Sequence, residues 1–249
     1  MNFGSQDPGA DPSPAPGGVG VLAGLVPTSL VDFPGRVAAT LFLGGCNFRC
    51  PFCQNPQLVV GPWHELMPLP ELTSWLAERH KLLEGVCISG GEPCLDVEVL
   101  ARIASLAHAQ DLAVKVDTNG SKPEAISRLI AASLVDYVAL DIKASPQRYS
   151  TATGVPTDLD AIAETVRILR EAHLPQELRT TIVPRLHAPE DLRAIGEWVG
   201  GDSPYYVQPF RPGTTLDPAW ATEPEPSREL LEELARVVEP YFAGVAVRA

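Results

Sequence analysis

The sequence predicts an α/β protein in the form of a partial, TIM-like (β/α)6 barrel. Six short apolar runs alternate along the chain with longer stretches whose apolar residues recur every three or four positions, as in amphipathic helices. Repeated strand and helix units require a parallel sheet with right-handed crossovers, which forms either an open doubly wound sheet or a barrel. Six strands are too few for the closed eight-unit barrel, so a partial barrel fits the pattern better.

The predicted strands are short and rich in Val, Ile, Leu or aromatic residues. They cover Val37–Leu43, Val86–Ser89, Ala113–Asp117, Tyr137–Ile142, Leu178–Val183 and Tyr205–Phe210. Two further segments are compatible with strands, namely a short strand pair within Val21–Val31 and another strand at Val245–Arg248. The number of strands in the barrel therefore stays open by one.

Five segments between and after the predicted strands have the apolar spacing of amphipathic helices. Their apolar faces consist of Leu72, Trp75, Leu76 and Leu83; Val97, Leu100, Ile103, Ala104 and Ala107; Leu159, Ile162, Val166 and Leu169; Leu192, Ile195 and Val199; and Leu230, Leu231, Leu234, Val237 and Val238. The last of these helices follows a Pro-rich linker, Pro212–Pro226.

The first eighteen residues differ from the rest of the chain in composition. They are dominated by Pro, Gly, Ala, Ser and Asp and show no apolar periodicity. Such a segment cannot bury enough apolar surface to offset the entropy lost on ordering. We therefore predict a disordered tail over 1–18 and a single domain over 19–249, because 249 residues with 45% hydrophobic content suffice for one core.

The formal net charge of −12 argues against nucleic acid or an anionic membrane as a partner, because both bind clusters of Lys and Arg. A protein or a small molecule is the expected partner. No run of about 18 apolar residues occurs, and the N-terminal residues lack the layout of a signal peptide, so we expect a cytoplasmic location. That compartment is reducing and would keep the five cysteines as thiols available to a metal.

Three cysteines, Cys46, Cys50 and Cys53, form a C-x3-C-x2-C loop directly after the first predicted strand and the flexible pair Gly44-Gly45. Thiolates at this spacing can bind one small iron–sulfur cluster, because three or four residues return the chain within the distance between neighbouring irons. Ordinary electron-transfer clusters have four cysteine ligands, whereas no fourth cysteine lies close to this loop. One iron would therefore keep an open position for a substrate group.

A structural zinc ion is the alternative interpretation of the three cysteines, with Cys87, Cys94, His64 or His80 as the fourth ligand. Structural zinc sites usually combine two ligand pairs at short spacing, and none of these four residues belongs to a second pair. Cys87 lies in a predicted core strand, so burial as a small apolar side chain is its expected role, and a structural role is expected of Cys94. His64 and His187 are expected at the surface, without a functional role.

With these cysteines the chain resembles the radical S-adenosylmethionine (SAM) superfamily, and within it the activating enzymes of glycyl-radical proteins. Phe52, the aromatic residue before the third cysteine, matches the cluster loop of that superfamily, and Ser89-Gly90-Gly91-Glu92-Pro93 matches its SAM-binding motif. Asp117-Thr118-Asn119-Gly120 and Asp141-Ile142-Lys143 match the activating enzymes more narrowly.

A narrower resemblance concerns one member of that family. The segment Ser29-Leu30-Val31-Asp32-Phe33-Pro34-Gly35, together with Cys53-Gln54-Asn55, is similar to the activating protein of anaerobic ribonucleoside-triphosphate reductase. The whole resemblance extends from about Gly20 to about Phe210. It implies a radical SAM type of barrel for the predicted strands and helices.

The motifs share a location on the predicted fold. The cysteine loop follows the first predicted strand, Gly90–Pro93 the second, Asp117–Gly120 the third and Asp141–Lys143 the fourth. Barrel enzymes build their active sites from the loops at the carboxyl ends of the strands, so all four motifs fall on one rim.

The resemblance implies a role for each residue of the SAM-binding motif. Gly90 and Gly91 lack side chains and would let the backbone approach a ligand closely. The loop from Gly90 to Pro93 would hold the amino group of SAM, with Glu92 as an acceptor for the ammonium. The amino nitrogen and carboxylate of SAM would chelate the open iron.

The two remaining motifs are implied to contact other parts of SAM. Asp117, Thr118 and Asn119 offer donors and acceptors for the ribose hydroxyls, and Lys143 would neutralise the carboxylate. Asp117 and Asp141 would also frame a monovalent cation beside SAM.

The implied reaction uses an electron from a donor such as flavodoxin or ferredoxin to break a carbon–sulfur bond of SAM, giving methionine and a 5'-deoxyadenosyl radical. In an activating enzyme the radical removes hydrogen from a glycine α carbon of a partner protein, here expected to be the anaerobic ribonucleotide reductase. No catalytic side chain beyond the cluster and SAM is required. The lateral gap of a six-strand barrel would admit a loop of such a large partner.

Two other functions stay open. One is a radical SAM enzyme acting on a small molecule, such as the 7-carboxy-7-deazaguanine synthases, which usually carry Cys-Asp-Thr where this chain has Cys53-Gln54-Asn55. The other is a non-catalytic iron–sulfur protein, which would leave the Gly-Gly-Glu-Pro and Asp-Thr-Asn-Gly segments unexplained.

Overall fold

The computed structural model of the chain describes residues 21–248. The tail predicted over 1–18 lies outside the described residues, and its disorder stays a prediction. The described strands all belong to one sheet, in which each strand lies beside its neighbours in sequence.

The sheet contains eight strands, and the order in space is the order along the chain. The strands are β1 (Leu22–Ser29), β2 (Ala38–Leu43), β3 (Gly85–Gly90), β4 (Ala113–Thr118), β5 (Tyr137–Asp141), β6 (Gln176–Ile182), β7 (Gly201–Pro209) and β8 (Phe242–Val247). β1 pairs antiparallel with β2, whereas the successive pairs from β2 to β8 are parallel. Parallel neighbours need crossover connections, which the helices supply.

The helices are α1 (Pro56–Val59), α2 (Leu69–Arg79), α3 (Val97–His108), α4 (Pro123–Ala131), α5 (Tyr149–Thr153), α6 (Leu159–Glu171), α7 (Pro189–Val199) and α8 (Arg228–Val238). Local chemistry explains where several of them begin: Asp96 and Ser227 accept hydrogen bonds from the first turns of α3 and α8. Proline occupies the first turn of α4 and α7, where no amide hydrogen is needed. None of the helices that the structure describes is long and apolar enough to cross a membrane.

The partial barrel is confirmed, since β2 to β7 correspond to the six predicted strands in the predicted order. Two edges of the sheet differ from prediction. The segment Val21–Val31 forms one strand, β1, rather than a strand pair, because it pairs along its length with β2. The last strand, β8, begins at Phe242, earlier than predicted, because it pairs with β7 from Gly201 onward. The helix α4 has no counterpart among the predicted apolar faces.

The two faces of the sheet differ in polarity. Alternate residues on β2 to β5, such as Leu41, Ile88 and Val116, belong to the buried apolar core that packs under the helices. Several of the intervening residues are polar, and Lys115 on β4 contacts both Cys87 on β3 and Asp117 on its own strand. The inner face of the barrel therefore carries charges even though it is largely shielded from water.

We expect Leu41→Ala to lower the free energy of unfolding by about 3 kcal/mol, because the side chain is fully buried on β2 and its removal leaves a cavity. Leu82→Ala is the matched control, since Leu82 is 74% exposed, and it should cost less than about 0.5 kcal/mol. Urea unfolding of both variants measures the two values. Equal losses would show that β2 does not lie at the centre of the core.

Candidate active site

A cavity of about 220 Å3 lies where β2 to β6 end. Almost every site residue predicted from the sequence lines it, namely Cys46, Cys50, Phe52, Cys53, Gly90, Gly91, Glu92, Asp117, Thr118, Asn119, Asp141 and Lys143. Pro93 does not line the cavity, because it is buried in a short 3-10 helix, Pro93–Leu95. Gln54, Arg179 and Thr181 also line the cavity, and they were not predicted.

The cysteine loop is held by its own backbone and by neighbouring segments. The Gly45 amide donates to the Leu58 carbonyl at 2.8 Å, and the Cys53 amide donates to the Cys50 carbonyl at 3.0 Å. The Arg49 guanidinium donates to the carbonyls of Cys46 and Phe48 at 2.6 and 2.9 Å. These bonds set the direction of the loop before any ligand is bound.

A second support of the cysteine loop comes from the far end of the chain. Backbone amides of Leu216 and Asp217 donate to the carbonyls of Cys53 and Pro51, each at 3.0 Å. The Phe52 ring packs against Trp220 with ring centroids 6.2 Å apart. The sequence predicted only a Pro-rich linker over Pro212–Pro226, because backbone contacts over such a distance leave no local sequence pattern.

The three thiols are free, and the surroundings of Cys46 and Cys50 favour the neutral form. Burial is the main cause that raises the pKa of Cys46 and of Cys50 to about 12. A thiolate here therefore needs a cation beside it, which is what an iron–sulfur cluster supplies.

The donor set suits a cluster better than a single ion. Among residues 21–248, no three His, Cys, Asp or Glu side chains are arranged closely enough to hold one metal ion. In a cluster each thiolate binds a different iron, so the sulfurs stand further apart than the ligands of one ion. Three thiols on the wall of one cavity fit that requirement.

The surrounding backbone leaves no room for a side chain at Gly90 or Gly91. A Cβ atom on Gly91 would lie 1.9 Å from the Gly45 carbonyl oxygen, and one on Gly90 would lie 2.2 Å from the Leu43 carbonyl oxygen. Gly90 also has a φ of +130°, a value that favours glycine. The close approach seen in the structure is between the ends of β2 and β3, and the approach of this backbone to a ligand stays a prediction.

Glu92 joins two loops of the site. Its buried carboxylate accepts hydrogen bonds from the amide of Cys94 at 3.0 Å, the hydroxyl of Thr118 at 2.8 Å and the amide of Asn119 at 2.6 Å. All three donors belong to the protein, and the role of Glu92 as an acceptor for the ammonium group of SAM stays a prediction. Glu92 therefore fixes the loop after β4 to the loop after β3.

The loop after β4 has few free polar groups. The Asn119 side chain donates to Asn47 Oδ1 at 3.0 Å and accepts from the amide of Ser121 at 3.0 Å. The Thr118 hydroxyl donates to Glu92 and accepts from the amide of Gly120. Asn119 therefore supports the cysteine loop through Asn47. The contacts of Thr118 and Asn119 with ribose hydroxyls stay a prediction.

Asp117 and Asp141 face each other across Arg179. The Arg179 guanidinium contacts Asp117 Oδ2 at 3.1 Å and also contacts Asp141 Oδ1. Lys115 contacts Asp117, and Lys143 contacts Asp141 Oδ2 at 2.9 Å. Burial alone would raise the pKa of both carboxyls, but the Arg179 charge and the two lysines hold it below the ordinary value.

Arg179 was missed, although the sequence contains a signal. It stands as a lone charge in the predicted apolar strand Leu178–Val183. In the structure it is the direct strand partner of Asp141, and its side chain is 14% exposed. A charge inside a buried strand marks a polar interior face of the barrel.

His187 is buried, so its predicted surface position is wrong, whereas His64 is exposed as predicted. The His187 Nδ1 accepts from the amide of Val183 at 2.9 Å, and Nε2 lies 3.0 Å from the carbonyl of Lys143, to which it donates. Burial lowers the pKa of His187 to about 4. The neutral ring thus anchors the backbone that carries Lys143.

Three of the similarities between this chain and known proteins are similarities in sequence. Residues 40–199 match the model of the radical SAM superfamily. A protein of Methanocaldococcus jannaschii named as a glycyl-radical enzyme activating enzyme is 31% identical over 233 residues, which cover 92% of this chain and 95% of that protein. The pyruvate formate-lyase-activating enzyme of Listeria monocytogenes is 29% identical over 183 residues, which cover 68% of this chain and 71% of that enzyme.

A solved structure shows the same fold. Streptococcus suis SuiB bound to S-adenosylmethionine has a TM-score of 0.64 and 13% identity, over 82% of this chain and 48% of that chain. The superfamily match covers more than half of the chain, so the chain belongs to the radical SAM superfamily. Within it, the chain belongs to the glycyl-radical enzyme activating enzymes. It is therefore a radical SAM enzyme, and its cofactors are a 4Fe-4S cluster and SAM.

We expect Gly91→Ala to cost at least about 3 kcal/mol of stability, because the new methyl group would overlap the Gly45 carbonyl. Gly244→Ala on β8 is the matched control, since a Cβ there meets nothing within 4 Å, and it should change stability by less than about 0.5 kcal/mol. Urea unfolding of the cluster-free proteins compares them. A Gly91→Ala variant as stable as the control would contradict the close approach of β2 and β3.

The stability of the protein should depend on pH through His187. The folded pKa of His187 is about 4, below its unfolded value of about 6.5, so the unfolded chain binds more protons between these values. The stability due to the neutral ring is complete above about pH 6.5 and falls by about 3 kcal/mol as pH drops toward 4. His187→Gln should lack this component, which urea unfolding at pH 7.5 and 4.5 measures. Parallel pH curves for the two proteins would contradict burial of a neutral ring.

Proposed function

We propose that this enzyme generates the glycyl radical of an anaerobic ribonucleoside-triphosphate reductase, using a 4Fe-4S cluster held by Cys46, Cys50 and Cys53. The observation that carries the proposal is the common cavity wall formed by these three thiols and the ends of β3 to β6. The names of the M. jannaschii and L. monocytogenes relatives support a glycyl-radical protein as the partner class.

Three thiolate ligands would leave one iron of the cluster free for SAM. When bound, the cluster and SAM supply a 5'-deoxyadenosyl radical that removes a hydrogen atom from glycine. The protein orients SAM and excludes water. The backbone around Gly90 and Gly91, on the cavity wall beside the cysteine loop, would hold the amino acid end of SAM.

Lys143 is the side chain best placed to bind the SAM carboxylate. Its ammonium lines the cavity, contacts Asp141 at 2.9 Å and retains further donors, since an ammonium has three. Burial alone would lower its pKa, but the Asp141 carboxylate outweighs burial and raises it, so Lys143 stays charged. His187 and Arg179 hold Lys143 and Asp141 in place.

The choice of reductase rests on the segment Ser29–Gly35 and on Cys53-Gln54-Asn55, which are similar to the activating protein of that enzyme. In the structure Val31, Asp32 and Gln54 lie together on a surface groove that shares Gln54, Arg179 and Thr181 with the cavity. We therefore propose that the reductase loop enters along this groove. A flavodoxin or ferredoxin is the proposed electron donor, and the cytoplasm the proposed location.

The test measures both the cleavage of SAM and the radical formed on the reductase. After anaerobic reconstitution, the enzyme with SAM and dithionite should form methionine and 5'-deoxyadenosine, and an added anaerobic reductase should acquire a glycyl radical signal in its electron paramagnetic resonance spectrum. SAM cleavage with no radical on the reductase would point to another substrate, such as a small molecule. No SAM cleavage would contradict the proposed site.

Cys50→Ala should lower 5'-deoxyadenosine formation more than about a hundredfold and remove the cluster, because changes around metal ligands already cost 10–100-fold. Cys87→Ala is the matched control, since it removes another buried thiol of the barrel without touching the cysteine loop. Iron and sulfide content measures the difference. Loss of the cluster in both variants would contradict the assignment of Cys50 as a ligand.

A further inference from the structure

The surroundings of Asp117 and Asp141 do not match the role that the resemblance implies for this pair. The family resemblance implies a monovalent cation between these carboxylates. In the structure the space between them holds the side chain of Arg179, which contacts one oxygen of each. The remaining oxygens contact Lys115 and Lys143.

Three cationic side chains therefore surround two carboxylates. Each carboxylate oxygen has a charged partner, so an added Na+ or K+ would find no carboxylate oxygen without one. The ion would also be repelled by Arg179, Lys115 and Lys143 at short range. The donor set therefore does not fit a bound monovalent cation.

Residues in the interior of the barrel also hold Arg179 in this position. Its guanidinium lies 3.7 Å from the fully buried carboxylate of Glu177, which is bound in turn by Arg248 through two contacts of 2.8 Å and by the Tyr137 hydroxyl at 2.9 Å. Its backbone carbonyl accepts from the amide of Ile142 at 2.9 Å. The position of Arg179 thus follows from strand register and from the barrel interior.

We propose that the guanidinium of Arg179 is the resident cation of this site and stands in place of a bound Na+ or K+. Arg179 is a positioning residue, because it acts by holding Asp141 and, through it, Lys143. A guanidinium suits this task, since its planar fork can bind two carboxylates at once and it keeps its charge when buried. The inference deepens the proposed function, since it concerns the cavity proposed to bind SAM.

The first test compares salts. The wild-type holoenzyme is assayed for SAM cleavage in choline chloride, NaCl and KCl at equal ionic strength. We expect the three rates to agree within about twofold, since no small cation is needed. A loss of about tenfold or more in choline chloride that KCl restores would overturn the proposal.

The second test needs neither SAM nor the cluster. The melting temperature of the cluster-free wild type should be equal in choline chloride and KCl, whereas Arg179→Ala, which frees two carboxylate oxygens, should melt higher in KCl because it binds the ion. Arg167→Ala is the matched control, since Arg167 also contacts two carboxylates, Glu164 and Glu171, but on the exposed face of α6. It should show no such preference.

The outcomes separate this inference from the proposed function. Stabilisation of the wild type by KCl over choline chloride would overturn the inference, and so would equal melting temperatures of Arg179→Ala in both salts. Should Arg179→Ala fail to fold, the wild-type comparisons decide alone. A wild type that cleaves no SAM in any salt would count against the proposed function, while the melting temperatures still test Arg179.

Discussion

Two backbone hydrogen bonds between the ends of β2 and β3 are the constraint on which the candidate site depends. The amide of Gly91 donates to the Leu43 carbonyl at 2.9 Å, and the amide of Glu92 donates to the Gly45 carbonyl at 2.7 Å. They bring the loop that carries the cysteines directly beside the loop after β3. Because the strands are parallel and in register, the loops after β4 and β5 follow at the same rim.

The buried carboxylates at the rim of the barrel are matched by positively charged or hydrogen-bonding partners. Arg179 joins Asp117 to Asp141, and Glu92 joins the loops after β3 and β4 through uncharged donors. Removing one partner of a buried ion pair is costly, because the other charge is left without a partner. These contacts therefore hold the loops in place in addition to neutralising charge. Several motif residues therefore act as supports of the cavity wall.

The fold and the rim could be predicted because their signals are local. Short apolar runs mark strands, and the C-x3-C-x2-C spacing marks a metal-binding loop. The burial of His187 and the packing of Trp220 on Phe52 join residues far apart in sequence, so no local pattern predicts them. The lone charge of Arg179 in an apolar strand indicates a polar interior face, but it does not predict the contacts with Asp117 and Asp141. Glu92 lies at the predicted rim, but its hydrogen-bond donors from the protein are visible only in the folded chain.

The proposed site depends on a cluster bound by three thiols with one iron left for SAM. Mössbauer spectroscopy of the protein reconstituted with 57Fe under anaerobic conditions measures this directly. We expect one 4Fe-4S cluster per chain and, on addition of SAM, a change confined to a single iron. A protein that binds no iron, or whose four irons respond alike to SAM, would contradict it.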